Sequence, residues 1–161
     1  MNIKIDRMNL DDLKSIKDIL SLEFDDFWNY NILKDELESK NSKYIVVKDI
    51  ESNDEIVGFA GIKIFIDEAD IMNIVVKKDY RNKGIGSLIL ENLILLCNKS
   101  NLKSLSLEVN EKNIPAINLY KKFGFKNIGI RKNYYKDENG IIMKKILRWQ
   151  NILVYNSHFL C

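Results

Sequence analysis

The spacing of apolar residues predicts a strand followed by a helix at the start of the chain. Ile3 and Ile5 alternate with polar neighbours, as residues of a half-buried strand do. Asn9 can cap the helix that follows, because acidic residues stand in the first turn after it. The apolar stripe of that helix recurs at helical spacing, at Leu13, Ile16, Ile19, Leu20 and Phe24.

The next part of the chain predicts one short helix and three strands. Residues 31–38 have helical periodicity. The runs 44–48, 55–66 and 71–77 are rich in β-branched and aromatic residues and are separated by polar turns. Short polar turns between strands favour an antiparallel meander.

Helical and strand patterns then alternate. Helical periodicity resumes at Gly84 and ends near residue 99, and a strand pattern follows at 103–109. Asn113 is the expected cap of another helix, which Gly124 closes.

The last predicted elements are two strands, 125–135 and 141–147, which a tight turn at Asn139-Gly140 would join. The complete order is strand, two helices, three strands, helix, strand, helix and two strands. That order predicts a single α/β domain, of the α+β kind, around one mixed sheet. We assign residues 1–148 to this domain and treat residues 149–161 as a C-terminal extension without an assigned role.

Length, charge and cysteine content narrow the class of protein. The chain has 161 residues, 46% of them hydrophobic, which is enough for one core. A net charge of +2 gives too weak a field to indicate a nucleic-acid or membrane partner. No stretch is apolar enough for a signal peptide or a membrane span, and Cys97 and Cys161 form no disulfide framework. We therefore expect a cytoplasmic protein, whose oligomeric state stays open and is compatible with a monomer.

The histidine content excludes several kinds of active site. His158 is the only histidine, and it lies near the C-terminus. Serine–histidine and cysteine–histidine triads, and most histidine-based metal sites, are therefore removed from consideration. We expect no metal.

The loop from Arg81 to Ser87 follows a strand and opens a long helix. Gly84 and Gly86 let the backbone approach a ligand closely, and the first N–H groups of the helix point towards it. Arg81 and Lys83 add positive charge. These are the parts of an anion site, although many helices begin with glycine for structural reasons alone. The loop matches neither the P-loop nor the dinucleotide fingerprint, which would require a small residue at Ile89.

The pattern Arg-x-x-Gly-x-Gly between a strand and a helix resembles the acetyl-coenzyme A loop of the GNAT acyltransferase superfamily. The similarity extends over residues 3–147 and is most specific near the end of that range. In that part the sequence resembles the RimI-type ribosomal-protein alanine N-acetyltransferases, one branch of the superfamily. The segments that carry this resemblance include Asp67-Glu68-Ala69, Asn73-Ile74-Val75-Val76, Leu105-Ser106-Leu107-Glu108-Val109, Ala116-Ile117-Asn118-Leu119-Tyr120 and Ile130-Arg131-Lys132-Asn133-Tyr134-Tyr135.

The resemblance implies a GNAT fold with acetyl-CoA as co-substrate. The mixed central sheet would be splayed between two parallel strands, with helices on both faces and acetyl-CoA in the wedge. Backbone groups of the first strand would pair with the pantetheine arm, and the loop would wrap the pyrophosphate. The cofactor-binding residues so implied are Ile74, Val75, Val76, Arg81, Asn82, Lys83, Gly84, Ile85, Gly86, Ser87 and Asn113.

The resemblance also implies two catalytic residues. A protein α-amino group, with a pKa of about 7.7–8.0, is mostly protonated at neutral pH, so a base is useful. Glu108 corresponds to that base, and strand alternation independently places it on the face away from Leu105 and Leu107. Tyr120 corresponds to the general acid that assists the leaving thiolate. Direct attack in a ternary complex is the simplest mechanism.

The expected acceptor is the N-terminal peptide of a small-subunit ribosomal protein that begins with alanine. Its binding residues would be Trp28, Asn133, Tyr134 and Tyr135. The family carries Pro-Trp-Ser around the tryptophan, whereas this chain has Phe27-Trp28-Asn29. Two alternatives stay open: a GNAT enzyme for another amine, such as other protein N-termini, a polyamine or an antibiotic, and a non-catalytic acetyl-CoA-binding protein associated with the ribosome.

Overall fold

The chain folds around a mixed seven-stranded sheet. The computed structural model describes residues 1–24 and 29–147. Across the sheet the order is β1-β2-β3-β4-β5-β7-β6. Strands β4 and β5 run parallel, and the other neighbours are antiparallel. The predicted mixed sheet and its opening meander are confirmed. The strands are β1 (Ile3–Arg7), β2 (Ser42–Asp49), β3 (Glu55–Phe65), β4 (Glu68–Val76), β5 (Ser104–Asn110), β6 (Lys126–Tyr135) and β7 (Glu138–Ile146).

Helices cover both faces of the sheet, as predicted. Adjacent residues of β2 belong to different hydrophobic clusters, since Val47 packs with α3 whereas Val46 packs with α1 and α2. Because side chains alternate between the faces of a strand, each cluster is the core of one face. The helices are α1 (Leu10–Ser15), α2 (Tyr30–Glu38), α3 (Ile85–Lys99) and α4 (Ile114–Lys122).

The first predicted helix is shorter than its apolar stripe suggests. Helix α1 ends at Ser15, and after a turn the chain forms a π-helical segment at Leu20–Phe24. The Ser15 hydroxyl donates to the Asp12 carbonyl at 2.7 Å, a local bond of the kind that competes with helix propagation. The predicted stripe is nonetheless buried, because the π-helical segment returns Leu20 and Phe24 to the same core.

The predicted turn at Asn139-Gly140 is wrong. The chain reverses at residues 136–137, with Lys136 at a φ of 57°, and Asn139 and Gly140 lie within β7. Asn139 is held there by Glu111, which accepts bonds from its backbone and side-chain nitrogens at 2.9 and 3.2 Å. These contacts come from the loop after β5, so the local Asn-Gly pattern does not decide the turn.

The parallel strands β4 and β5 separate soon after they begin. They pair only from Glu68 to Asp70 with Ser104 to Ser106. The register between β3 and β4 then shifts at Met72, which is the extra residue of a β-bulge. Bulges bend a strand and increase its twist, so β4 turns away from β5 at this point. The predicted splay of the sheet is confirmed.

Part of the predicted organisation lies outside the described residues. This applies to residues 148–161, and so the domain boundary at residue 148 stays a prediction. Among the helices that are described, none is long and apolar enough to cross a bilayer.

Candidate functional site

A cleft of about 590 Å³ opens beside the end of β4, beyond the residues that pair with β5. The end of β4, the loop before α3, the first turn of α3 and the part of α4 up to Tyr120 line it. The structure thus brings together every predicted cofactor residue except Lys83, and it adds Tyr120 to the same cleft. The lining consists of Ile74, Val75, Val76, Tyr80, Arg81, Asn82, Gly84, Ile85, Gly86, Ser87, Asn113, Pro115, Ala116, Leu119 and Tyr120.

The start of α3 gives one end of this cleft the character of an anion site. Gly84 is the N-cap, at a φ of 83°, and no side chain caps the helix there. The first N–H groups of a helix have no partner within it, and in α3, a helix of 15 residues, they lie at the positive end of the dipole. Backbone donors in this arrangement fit a pyrophosphate.

The free edge of β4 gives the cleft a second property that suits acetyl-CoA. Beyond Asp70, among the described residues, no strand pairs with β4 on its β5 side. On the side of β4 that faces away from β3, the backbone from Ile74 to Val76 therefore borders the cleft without a strand partner, although the Val76 carbonyl accepts a bond from Arg81. An extended arm that carries amides, such as pantetheine, can bond to such an edge as another strand would.

Gly84 and Gly86 should respond differently to an added methyl group. We expect Gly84→Ala to lower the free energy of unfolding by about 1–2 kcal/mol, because Gly84 has a left-handed backbone. The thermal midpoint would fall by about 2–8 °C. Gly86→Ala is the matched control: its Cβ would meet only Leu119 Cδ2, at an ordinary 3.6 Å, and alanine favours a helix. Equal midpoints for the two variants in thermal unfolding would contradict this expectation.

Arg81 bonds to two backbone carbonyls, one at the end of β4 and one in the π-helical segment. Its Nε donates to the Val76 carbonyl at 3.1 Å, and its Nη2 donates to the Phe24 carbonyl at 2.7 Å. Lys78 Nζ donates to the Leu22 carbonyl at 2.6 Å. Lys78 and Arg81 therefore connect the C-terminal part of the π-helical segment to the chain that leads into α3.

The other cations near the loop also have partners. Lys77 Nζ lies 2.7 Å from Glu23 Oε2 and is paired with Glu55 as well. Lys83 Nζ lies 5.2 Å from the centroid of the Tyr80 ring, and Lys83 does not line the cleft. The backbone of the loop, rather than its charged side chains, is thus the better candidate for binding an anion.

Glu108 has one carboxylate oxygen in an ion pair and the other without a partner. Its Oε1 lies 3.1 Å from Arg131 Nη2. Its Oε2 is buried and accepts no hydrogen bond from the described residues. A buried acceptor without a donor is costly, and such groups are frequent where a ligand supplies the missing bond. Oε2 is therefore an acceptor to which a ligand could donate a hydrogen bond.

Tyr120 lies in α4 with its ring packed on Phe125, the centroids being 5.9 Å apart. Burial, and to a lesser extent Tyr135, raises the pKa of Tyr120 to about 12. The phenol therefore stays protonated at neutral pH and can act as a hydrogen-bond donor within the cleft.

The predicted acceptor residues fall into two groups. Asn133, Tyr134 and Tyr135 lie at the end of β6, where the two tyrosine rings meet edge to face at 4.9 Å. Burial, then Tyr134 and then Glu108, raises the pKa of Tyr135, so this group adjoins the candidate base. Trp28 lies outside the described residues.

Neither the Cys97 thiol nor a group of metal ligands offers another reactive centre among the described residues. Burial raises the pKa of the Cys97 thiol to about 11, which leaves it un-ionised at neutral pH. Within the described ranges, no cluster of His, Cys, Asp and Glu side chains could hold a metal ion.

Arg131 is the main functional candidate that sequence reasoning missed. The sequence places Arg131 next to no acidic residue, and its contact with Glu108 depends on the strand order β5-β7-β6. A neighbour two strands away has no signal in local periodicity. The cleft residue Ala116, by contrast, could have been inferred from its helical spacing to Tyr120, which follows it by four residues.

Comparison with known proteins agrees with this geometry. The acetyltransferase (GNAT) family matches residues 13–125. A Bacillus subtilis protein provisionally named a ribosomal protein bS18-alanine N-acetyltransferase is 38% identical over 139 residues, which is 84% of this chain and 90% of that protein. The ribosomal protein bS18-alanine N-acetyltransferase of Haemophilus influenzae is 38% identical over 70% of this chain and 74% of its own length.

A solved structure gives the same result. The ribosomal-protein-S18-alanine N-acetyltransferase of Escherichia coli superimposes with a TM-score of 0.83 at 28% identity, covering 95% of this chain and 99% of that one.

Proposed function

This chain belongs to the GNAT family of acetyltransferases, in its RimI-type branch, and on that premise we propose that it acetylates the N-terminal alanine of a small-subunit ribosomal protein. Members of this family are acyltransferases that use acetyl-CoA. The observation that carries the proposed acceptor is the similarity, over most of the chain, to relatives named for that activity. Cytoplasmic location, and a lack of nucleic-acid and membrane partners, stay predictions from composition.

In the proposed reaction, acetyl-CoA supplies an acetyl thioester, which the cleft holds at two places. The backbone N–H groups from Gly84 to Ser87 would bind the pyrophosphate, and the free edge from Ile74 to Val76 would bond to the pantetheine arm. The uncapped start of α3 and the unpaired edge of β4 support these roles.

Glu108 would then make the acceptor amine nucleophilic. The α-amino group, with a pKa of about 7.7–8.0, has to lose a proton before it attacks. Oε2 of Glu108 would accept that proton, either directly or through one water molecule. The lack of any other partner for this oxygen among the described residues supports the role.

Tyr120 would act at the leaving group. Its protonated phenol would donate a hydrogen bond to the sulfur as negative charge develops there. With both substrates bound at once, attack is direct and needs no acyl-enzyme, which agrees with the buried, un-ionised thiol of Cys97. Trp28, Asn133, Tyr134 and Tyr135 would contact the acceptor peptide.

A peptide panel tests the proposed acceptor. The protein would be incubated with acetyl-CoA and with short peptides that begin with alanine, serine or methionine, and with spermidine. We expect free thiol to appear with the alanine peptides, and mass spectrometry to locate the acetyl group on the α-amine. The matched control is the same alanine peptide with its N-terminus already acetylated.

The panel also separates the alternatives. Turnover of spermidine with none of any alanine peptide would contradict the proposed acceptor but leave a GNAT enzyme for another amine. A rise in thermal midpoint with acetyl-CoA, but no transfer to any amine, would indicate a non-catalytic binding protein.

A further inference from the structure

Arg131 contacts the candidate base from a strand that is not its neighbour in the sheet. Strand β7 lies between them, with Gly140 opposite Arg131 and Ile142 opposite Glu108. The Arg131 side chain extends across β7, and its Nη2 lies 3.1 Å from Glu108 Oε1. Since the Arg131 side chain is 55% exposed and that of Glu108 only 23%, the guanidinium reaches from the surface towards a more buried carboxylate.

The Arg131 guanidinium also contacts one ring of a tyrosine pair. The Arg131 guanidinium carbon lies 4.9 Å from the centroid of the Tyr134 ring, within the range of a cation–π interaction. Tyr134 in turn meets Tyr135 edge to face. Two contacts of different kinds therefore restrict the guanidinium, which is a planar group with few favourable orientations against a ring.

The ion pair between Arg131 and Glu108 involves only one of the two carboxylate oxygens. Arginine and a carboxylate often form two parallel bonds, and that arrangement is the strongest. Here Oε2 is buried and has no partner among the described residues. A pair that served stability alone would gain from engaging both oxygens, so the single contact points to a different purpose.

We propose that Arg131 is a positioning residue that holds Glu108 Oε1 and thereby presents Oε2 to the acceptor amine. This inference rests on the proposed function of Glu108 as the base. By fixing one oxygen, Arg131 restricts rotation of the carboxylate and keeps the free oxygen in one place. Arg131 acts through Glu108 and does not itself take part in proton transfer.

Steady-state kinetics of three variants test the proposal. Because misplacing a catalytic group is costly, we expect Arg131→Met to lower kcat by about 10- to 100-fold with the KM for acetyl-CoA within about twofold. Arg131→Lys keeps a cation near Oε1 and should recover most of the loss. Lys132→Met is the matched control, since it removes an exposed charge from the adjacent position of β6, and we expect kcat to stay within about twofold.

A double-mutant cycle with Glu108→Gln separates positioning from a general structural effect. If Arg131 acts through Glu108, then adding Arg131→Met to Glu108→Gln should change kcat by less than about twofold. An equal loss in both backgrounds would overturn the proposal, and so would a kcat for Arg131→Met that matches Lys132→Met. If Arg131→Met does not fold, Arg131→Gln enters the same cycle.

The base role itself is read from a different variant. If Glu108→Gln alone leaves turnover unchanged, the proposed role of Glu108 fails and the positioning role fails with it. If Glu108→Gln is inactive while Arg131→Met is unaffected, only the positioning role fails.

Discussion

Replacing Glu108 with glutamine is expected to lower turnover by about 10²- to 10⁴-fold, the range usual for loss of a general base. Glutamine keeps the shape of the side chain but cannot accept a proton. Because Glu108 does not line the candidate cleft, the affinity for acetyl-CoA should change little. Thiol release under saturating substrates measures turnover, and calorimetric titration of acetyl-CoA measures affinity.

Glu68→Gln is the matched control for this variant. Glu68 is also a strand glutamate in an ion pair, with Lys144 Nζ at 2.9 Å, but it lies outside the candidate site and its side chain is 53% exposed. Its loss should leave turnover within about twofold, since exposed ion pairs contribute little. Turnover of Glu108→Gln equal to that of Glu68→Gln would remove Glu108 from the mechanism.

Replacing Tyr120 with phenylalanine is also expected to lower turnover by about 10²- to 10⁴-fold. The variant keeps the ring that packs on Phe125 and loses only the hydroxyl, so the thermal midpoint should stay close to that of the unaltered protein. The pKa of about 12 means that the phenol carries its proton throughout the neutral range, and phenylalanine has no proton to donate. The same thiol assay measures the loss.

Tyr120→Leu distinguishes the hydroxyl from the ring. Leucine removes both, so it should lower turnover as phenylalanine does and also lower the free energy of unfolding, by about 0.5–1.5 kcal/mol for the lost ring pair alone. If Tyr120→Phe retains full turnover whereas Tyr120→Leu loses it, then Tyr120 contributes packing and the acid role is wrong.

The parts of the fold that sequence predicted correctly are those that local contacts decide. Helix α3 follows its apolar stripe, and Asn113 caps α4 by accepting a bond from Ala116 N at 3.3 Å. The two errors have non-local or competing causes. Asn139 is held in β7 by Glu111, and Ser15 bonds to the backbone at the end of α1.

The candidate site divides in the same way. The glycine loop and the edge of β4 are close in sequence, so one motif is sufficient to predict the part of the cleft that these two segments line. A motif could not predict that Glu108 pairs with Arg131 or that Arg81 bonds to the Phe24 carbonyl, because each of these contacts joins segments that are distant in sequence. The charge of Arg81 suggested a ligand contact, whereas its guanidinium bonds to two backbone carbonyls.

The bonds from Lys78 and Arg81 to the Leu22 and Phe24 carbonyls bear on how enzymes of this kind could diverge. Both bonds use backbone oxygens, so they do not depend on which side chains the segment carries. If Trp28 contacts the acceptor as proposed, substitutions at residues 25–28 should alter acceptor choice while the bonds to Leu22 and Phe24 persist. A substitution at Arg81 would remove the bonds to both the Val76 and the Phe24 carbonyls and thereby disturb the proposed acetyl-CoA site as well, so directed evolution towards a new amine should begin after Phe24 and leave Arg81 unchanged.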